Sequence, residues 1–246
     1  MSAQATDAIT IALVYPSLLG TYGDRGNTLA LVHRARARDL PVRVLEISPD
    51  DPVPADADVY LLGGGEDSSL LLAYDLLREQ PTFVAALERG AACLAVCAGF
   101  QLLSERFAGP DGTPRDGLGV LDARCGRLPG KRAVGEVVAE PVALPVGPLT
   151  GFENHQGDAL LGADATPLGK VGTGVGNGHD AQEGAVQRNV VATYLHGPVL
   201  VRNPALADHL LSVATGADLE PYQHAAVERL RTERLADAPR ERAATD

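Results

Sequence analysis

The sequence is poor in aromatic residues, which make up 4% of its 246 residues, and it contains no tryptophan. Aromatic rings are the platforms on which single-stranded nucleic-acid bases stack, so their scarcity disfavours that function. Positive charge is also in the minority, because 21 Lys and Arg residues face 32 Asp and Glu residues and leave a formal net charge of −11. A chain with this charge is not expected to bind a phosphate backbone. No nucleic-acid partner is therefore predicted.

Long apolar runs, a secretory signal and paired cysteines are missing as well. No apolar run approaches the ~20 residues that a membrane-spanning helix needs, and residues 1–7 lack the basic and apolar regions of a signal peptide. The three cysteines, Cys93, Cys97 and Cys125, are odd in number and have no C-x-x-C spacing. This pattern favours reduced thiols over a disulfide framework or a zinc site. We therefore expect a cytoplasmic protein with no transmembrane segment and no bound metal.

The first half of the chain alternates short apolar runs with helical patterns. Strands are predicted at 9–15, 42–47, 59–62 and 91–96, and helices at 27–38, 69–77, 82–89 and 99–107, with Asp24 or Asn27 as the cap of the first helix. Such alternation is typical of βαβ units, whose right-handed crossovers place helices on both faces of a parallel sheet. The predicted fold is α/β: a three-layer, open, mostly parallel sheet with helices on both faces.

The second half has a different pattern, with short strands between Gly and Pro turns. Strands are predicted at 117–122, 135–140, 149–153 and 189–195, a glycine-rich loop at 170–184, and helices at 204–214 and 225–235. One domain is expected over 9–215, preceded by a flexible segment at 1–8. Residues 216–246 are expected to form a C-terminal helix and a polar tail, either solvated or used for docking.

Cys97 has the sequence context of a catalytic nucleophile. It follows the apolar strand that ends at Val96, and a predicted helix begins just after it at Gly99. Small residues around such a strand-to-helix turn allow the sharp bend of a nucleophile elbow, although Ala95 stands where the common pattern has glycine. The helix N-terminus is expected to favour the thiolate, and the backbone N–H of Ala98 to hold an oxyanion. The alternative is a buried core cysteine, the interpretation that we give to Cys93 and Cys125.

A general base for this thiol is expected among the six histidines. His196 ends a predicted strand, and the carboxyl ends of strands form the ligand-binding edge of open α/β sheets. His155 is the competing candidate. The other four histidines are interpreted as solvated or structural: His33, His179, His209 and His224.

A glycine triplet follows the predicted strand at 59–62. Glycine lets a backbone approach a ligand closely, so Gly64 or Gly65 is a candidate for a second oxyanion donor, the alternative being a plain tight turn. The triplet is not a P-loop, because no Gly-Lys-Ser/Thr follows.

These motifs together resemble the class I (triad-type) glutamine amidotransferase family. The segment Cys97-Ala98-Gly99-Phe100-Gln101 is similar to its C-x-G-x-Q signature, and Tyr194-Leu195-His196-Gly197 to its histidine motif. Within this class the chain resembles the cobyric-acid-synthase-like branch, and more narrowly the glutaminase subunits that work with a MurT-like subunit of the Mur-ligase family. The stretches behind the narrower resemblance are YGDRGN at 22–27, GGGED at 63–67, GFENH at 151–155, GN at 176–177 and ATYLHGP at 192–198.

The resemblance implies a flavodoxin-like fold and a glutaminase over about 9–215. Cys97 would be the nucleophile and His196 the general base and acid, and Arg132 matches a basic residue that holds the substrate glutamine. Further substrate-binding residues would be Gln101, Asn154, His155 and Asn177. No cofactor is implied for this chain. A MurT-like partner in a heterodimer would use ATP and Mg²⁺ to amidate the D-glutamate α-carboxylate of lipid II at the inner face of the membrane.

One position departs from the family pattern. Many triad amidotransferases have a glutamate two residues after the histidine, where this chain has Pro198. The cobyric-acid-like branch also lacks it, so either a Cys–His dyad suffices or a partner subunit supplies the acid. Three other functions stay open: a glutaminase for another acceptor such as a corrinoid carboxylate, a cysteine hydrolase such as a small peptidase, and a non-catalytic binding subunit with the same fold.

Overall fold

A computed structural model describes residues 8–243 of the chain. Its strands are β1 (Ile9–Val14), β2 (Val42–Ile47), β3 (Val59–Leu62), β4 (Ala92–Val96), β5 (Ser104–Ala108), β6 (Pro114–Asp116), β7 (Leu121–Cys125), β8 (Ala133–Pro141), β9 (Leu149–His155), β10 (Leu160–Leu161), β11 (Gly169–Thr173), β12 (Gln182–Glu183), β13 (Ala185–Gln187) and β14 (Val190–Thr193). Its helices are α1 (Arg25–Arg36), α2 (Asp67–Leu77), α3 (Pro81–Glu88), α4 (Ala98–Leu103), α5 (Val199–Arg202), α6 (Pro204–Thr215) and α7 (Ala225–Ala243).

A six-stranded sheet forms the centre of the molecule, with the strand order β13-β14-β4-β3-β1-β2. The pairs from β14 to β2 are all parallel, and only the edge pair β13–β14 is antiparallel. Parallel neighbours need crossover connections, and helices supply several of them here. The predicted open, mostly parallel α/β sheet is confirmed.

Alternate residues of the central strands enter two separate cores, because successive strand side chains point to opposite faces. Ile11 and Leu61 lie on the face covered by α1 and α6. Ala12 and Tyr60 lie on the opposite face, which is covered by α2, α3 and α4. Both faces are therefore buried, which explains why these strands read as continuous apolar runs in the sequence.

Two four-stranded sheets built from the middle of the chain flank the central one. Their strand orders are β10-β7-β5-β6 and β12-β11-β8-β9. The first packs on the face that carries α2–α4, and the second contributes Val137 and Leu149 to the other core. These sheets bring the segments that hold Arg132, Asn154 and His155 toward one edge of the central sheet.

Several element predictions were wrong in extent. The helix predicted at 99–107 ends at Leu103, and β5 begins at Ser104, where the hydroxyl bonds to the carbonyls of Gln101 and Arg106. Ser hydroxyls that bond to nearby backbone offer the chain an alternative to helix. The loop predicted at 170–184 contains most of β11 and all of β12, and the strand predicted at 117–122 begins only at Leu121.

The C-terminal helix is longer than predicted and packs on this chain. Within α7, Arg231 donates to the carbonyl oxygens of Arg202 and Pro148 and to Asn203 Oδ1. The tail interpretation at 244–246 and the flexible segment at 1–7 lie outside the described residues. Between residues 8 and 243, none of the helices is long and apolar enough to cross a bilayer.

Candidate active site

The strand-to-helix turn predicted at Cys97 is present between β4 and α4. Cys97 has φ 53° and ψ −102°, a conformation that residues other than glycine rarely adopt. The turn also requires Gly99, because a Cβ there would lie 2.8 Å from Leu62 Cβ and 2.9 Å from Leu62 O. Its N–H donates to the Gly63 carbonyl at 3.2 Å. The strained backbone thus projects the thiol beyond the end of the strand, as in a nucleophile elbow.

Three side chains converge around Gly64, the residue two positions beyond β3. A Cβ placed on Gly64 would lie 2.9 Å from His196 Cε1, 3.3 Å from Asp24 Oδ2 and 3.5 Å from Cys97 Cβ. The parallel pairing of β14 with β4, in which Thr193 faces Val96, brings His196 and Cys97 to the same sheet edge. The two predicted catalytic residues therefore share one site.

The His196 imidazole is almost completely buried, with 1% of its side chain exposed. Its backbone exchanges hydrogen bonds with Phe152 of β9, at 2.8 Å and 3.1 Å. Its Nδ1 lies 3.3 Å from Asp24 Oδ1. Its Nε2 has no hydrogen-bond partner in the part of the chain that the structure describes. The imidazole is thus held on one side and has one nitrogen available for a reacting group.

Asp24 is the site residue that the sequence analysis missed, because it was considered only as a helix cap. It makes no side-chain capping bond to α1. Its second carboxylate oxygen, Oδ2, instead accepts the Gly64 N–H at 2.7 Å. The other proposed cap, Asn27, accepts the Leu200 N–H through Oδ1 at 3.0 Å. A signal was present in the YGDRGN stretch, but no local pattern connected it with His196.

Tyr22 lies beside the same imidazole and was also missed. Its ring meets the His196 ring edge-on, with 4.9 Å between centroids, and its hydroxyl accepts a hydrogen bond from Asn154 Nδ2 at 2.9 Å. Asn154 in turn is bound by Arg132, which donates from Nη2 to the Asn154 carbonyl at 2.8 Å and from Nε to its side-chain oxygen. A chain of contacts therefore connects Arg132 with the histidine.

A polar cavity of about 210 Å³ opens onto the thiol. Its walls include four predicted site residues, Gln101, Arg132, His155 and Gly65. They also include residues of both charges that the sequence analysis did not select: Glu66, Asp67 and Arg127. Such mixed charge suits a small zwitterionic molecule such as an amino acid.

His155 lies in the wall of this cavity and is not in the position of a general base for the Cys97 thiol. Its Nδ1 lies 2.7 Å from the Gly157 carbonyl and its Nε2 3.4 Å from Glu153 Oε2. Its ring stacks on Tyr194 with 4.0 Å between centroids and 11° between planes. Because both ring nitrogens face partners, the geometry favours His196 over His155 as the base.

Asn177, predicted to bind substrate, has a different environment. Its side chain is fully buried, donates to the Gly184 carbonyl at 2.9 Å and accepts the Gly184 N–H at 2.8 Å. Both amide atoms are therefore occupied in holding the turn that precedes β13. Asn177 is not one of the described residues that line the cavity. The structure does not bring Asn177 together with the other predicted substrate-binding residues, and the sequence could not show where its amide was used.

One of the three predicted oxyanion donors, the Gly64 N–H, already has a partner in this structure. The Gly64 N–H is bonded to Asp24, so it is not available to a substrate oxygen in this arrangement. Gly65 lines the cavity, and the Ala98 N–H lies close enough to the Cys97 sulfur to lower the pKa of the thiol. Ala98 and Gly65 therefore stay as the candidate donors.

The surroundings of Cys97 act against the expected thiolate. Burial and, to a smaller extent, the negative charge of Asp24 raise the pKa of the Cys97 thiol to about 12. The Ala98 N–H and the positive charge of Arg132 act in the opposite direction. A base beside the sulfur would therefore assist its deprotonation during nucleophilic attack.

No group of three or more His, Cys, Asp or Glu residues within 8–243 is arranged to hold a metal ion.

Comparison with known proteins gives a consistent result. Residues 10–204 match the CobB/CobQ-like glutamine amidotransferase domain. The chain is 36% identical over 221 residues to subunit GatD of the glutamine-hydrolysing lipid II isoglutaminyl synthase of Staphylococcus aureus, covering 87% of this chain and 89% of that protein. It is 34% identical over 209 residues to the Streptococcus pneumoniae subunit of the same name, covering 84% and 80%. A cobyric acid synthase of Sphingopyxis alaskensis is 34% identical over 180 residues, but the match covers only 34% of that protein.

Among solved structures, a glutamine amidotransferase superposes with a TM-score of 0.57 at 20% identity. The match covers 84% of this chain and 99% of that structure, which supports the shared fold. The strained elbow, the histidine at the same sheet edge and the family match over most of the chain agree. The chain belongs to the CobB/CobQ-like glutamine amidotransferase family, and its enzymatic class is that of a glutamine-hydrolysing amidotransferase.

Proposed function

We propose that this chain is the glutaminase subunit of a lipid II isoglutaminyl synthase. It would hydrolyse L-glutamine at Cys97 and deliver ammonia to a MurT-like, ATP-dependent ligase. The ligase would convert the D-glutamate α-carboxylate of lipid II to D-isoglutamine in peptidoglycan synthesis. The observation that carries the proposal is the meeting of Cys97 and His196 around Gly64, beside the cavity that Cys97 lines, in a chain related over most of its length to GatD subunits.

The chemistry follows from the positions of these two residues. The free Nε2 of His196 takes the thiol proton as the Cys97 sulfur attacks the side-chain carbonyl carbon of glutamine. The imidazolium then gives that proton to the departing nitrogen, so ammonia leaves and a γ-glutamyl thioester remains. Water, deprotonated by the same imidazole, cleaves the thioester to glutamate and regenerates the thiol. Each step balances without a metal or an organic cofactor.

Stabilisation of the oxyanion is assigned to backbone donors near the thiol. Ala98 follows the thiol in sequence and its N–H acts on the pKa of that thiol, and Gly65 contributes to the cavity wall. A donor of this kind typically lowers the barrier by about 2.7–4 kcal/mol. The requirement for a base explains how a thiol with a raised pKa can react: its proton is removed only as the bond to carbon forms.

Arg132 is proposed to bind the substrate α-carboxylate, and Arg132→Ala is expected to raise the KM for glutamine about 10- to 100-fold with kcat little changed. A charge-assisted hydrogen bond of roughly 1.5–3 kcal/mol would be lost equally from the ground and transition states. Steady-state kinetics of glutamate release would measure this. Arg78→Ala is the matched control, because Arg78 is an exposed arginine at the end of α2 that pairs with Asp75 and Glu79. A large fall in kcat at unchanged KM would contradict the assignment.

The need for a partner follows from the product. Free ammonia in water becomes ammonium and is no longer a nucleophile, so glutamine hydrolysis is useful only beside an acceptor. We propose a heterodimer with a MurT-like Mur-ligase-family subunit, in which ATP and Mg²⁺ bind to the partner. The complex would act in the cytoplasm, at the membrane face where lipid II is presented. In α7, Arg231 contacts the rest of this chain, while most of the residues from 225 to 237 stay exposed or half-buried.

Reconstitution tests the function directly. The full chain is co-expressed with a tag, the ligase that co-purifies is identified, and the complex is given lipid II, ATP, Mg²⁺ and glutamine. We expect glutamine-dependent amidation, and a Cys97→Ala complex that uses ammonium chloride but not glutamine. Amidation of a corrinoid carboxylate in place of lipid II would favour the other acceptor class. Absence of glutamine hydrolysis, with the ligase present, would contradict the proposal.

A further inference from the structure

We propose that Glu183 is a positioning residue for glutamine hydrolysis and that it works as a neutral carboxylic acid. As the neutral acid it fixes the end of β14, the strand that leads to the catalytic imidazole, and its ionisation above neutral pH loosens that end. Its side-chain hydrogen bonds go to Thr193 and Tyr194 and not to a catalytic side chain. The kinetic part of the inference rests on the proposed glutaminase function.

The first argument is the place of Glu183 in the fold. It is the last residue of β12, which belongs to a flanking sheet, and β13 of the central sheet begins two residues later at Ala185. Gly184 between them has φ 60°, and a Cβ there would lie 2.4 Å from the Ala192 carbonyl oxygen. Glu183 is fully buried. The crossing from one sheet to the other therefore brings its carboxyl group against the end of β14.

The second argument is what this carboxyl group holds. Its Oε1 accepts the hydroxyl proton of Thr193 and, at 3.1 Å, the N–H of Tyr194. The Thr193 hydroxyl oxygen in turn accepts the Leu195 N–H at 3.0 Å. The Thr193 carbonyl accepts the N–H of Cys97 at 2.9 Å, and His196 follows Leu195 in the chain. One carboxyl oxygen thus organises the short segment that joins the backbone of the nucleophile to that of the base.

The third argument is that the surroundings of Glu183 do not support a charge. Its second oxygen, Oε2, has no hydrogen-bond partner in the part of the chain that the structure describes. The nearby Glu153 is better supplied, because its two oxygens accept the N–H groups of Val175 and Gly176, both at 2.9 Å, and His155 Nε2 faces it. Two carboxylates that share a buried volume repel each other, so the one with fewer donors stays protonated. That one is Glu183.

The pKa of Glu183 agrees with this geometry. Burial raises it from 4.5 to about 7, and the charge of Glu153 acts in the same direction. The other titratable side chains on the elements around it are His155 on β9, the exposed Lys170 on β11, and Tyr194 after β14. Between pH 4.5 and about 7 the unfolded chain is ionised at Glu183 and the folded chain is not. Folding then takes up a proton, so the free energy of unfolding falls as pH rises through this range.

Glu183→Gln tests the inference in the full chain, alone and with the co-purified ligase. The amide keeps the carbonyl oxygen that Thr193 and Tyr194 contact, but it cannot ionise. We expect the ratio of its kcat to that of the unsubstituted protein to be near one at about pH 6 and to rise about threefold or more by about pH 8.5, with KM little changed. The pH dependence of the two catalytic residues cancels in this ratio. The matched control is Glu140→Gln, an exposed position on β8 of the same flanking sheet, where the ratio should not depend on pH.

A spectroscopic readout measures the protonation state without a variant. In ¹³C NMR of the unsubstituted protein, the Glu183 carboxyl carbon should titrate with a midpoint near 7. The unfolding temperature of Glu183→Gln should rise relative to that of the unsubstituted protein as pH increases from 4.5 to about 7. A kcat ratio that does not change with pH, or a carbon midpoint in the ordinary glutamate range, would overturn the inference. If the unsubstituted protein does not hydrolyse glutamine, the proposed function fails, while the carbon titration still decides the state of Glu183.

Discussion

Replacing Cys97 by alanine is expected to lower glutamine hydrolysis by about 10⁴-fold or more. The substitution removes the atom that would form the thioester, and no neighbouring side chain offers a substitute: the other two cysteines of the chain are buried in the core. The fold should be retained, because alanine fits the elbow with less side-chain volume. Glutamate release from glutamine measures the effect, and thermal unfolding checks the fold.

The controls for this variant are the other two cysteines. Cys93 is fully buried in β4, and Cys125 is 4% exposed at the end of β7. Burial raises the pKa of each thiol, so neither is expected to react. Cys93→Ala and Cys125→Ala should keep glutaminase activity, and a diazo-ketone analogue of glutamine should label Cys97 in both. Full activity of Cys97→Ala, or labelling of Cys125 in its place, would rule out the assigned nucleophile.

Gly64→Ala is expected to have the second largest effect. The added Cβ would lie 2.9 Å from His196 Cε1, closer than a carbon–carbon contact permits, and 3.3 Å from Asp24 Oδ2. The imidazole, the carboxylate or the Gly64 backbone must move. Since a displacement of about 1 Å in a catalytic group costs about 100-fold in rate, we expect kcat to fall by at least that factor. Overpacking should also lower the free energy of unfolding by about 1–3 kcal/mol.

Gly172→Ala is the matched control for this substitution. Gly172 lies in β11, and the nearest atom to its added Cβ is the Val138 carbonyl oxygen at 3.7 Å, an ordinary contact. Its activity and unfolding temperature should stay near those of the unsubstituted protein. If Gly64→Ala also keeps kcat within a few-fold, the close arrangement of His196, Asp24 and Cys97 around Gly64 is not the active geometry.

The elements at the centre of the fold follow from local sequence. The strands β1 and β3 lie where the apolar runs predicted them, because a strand buried on both faces must be apolar throughout. The edge strand β2 lies where alternating residues predicted it. The turn after β4 could also be predicted from local sequence, because small residues on both sides of Cys97 allow the bend. The sequence analysis was weaker where glycine-rich segments form short antiparallel strands, as in β11 and β12. There the pairing partner stabilises the strand, and that partner is remote in sequence.

Pairing between distant segments decided the composition of the site. Cys97 and His196 meet because β14 pairs in parallel with β4, an order that no local pattern specifies. The same applies to Asn177, whose amide is used within its own turn and not at the cavity.

The sequence by itself determined the family, the parallel sheet and the candidate thiol and imidazole, because each depends on residue types at short spacing. Only the tertiary structure placed Asp24 against an imidazole 172 residues away. It also placed the sulfur where desolvation raises the pKa of the thiol. Both results depend on which groups share a buried volume, and that is settled by chain packing, which no short stretch of sequence records.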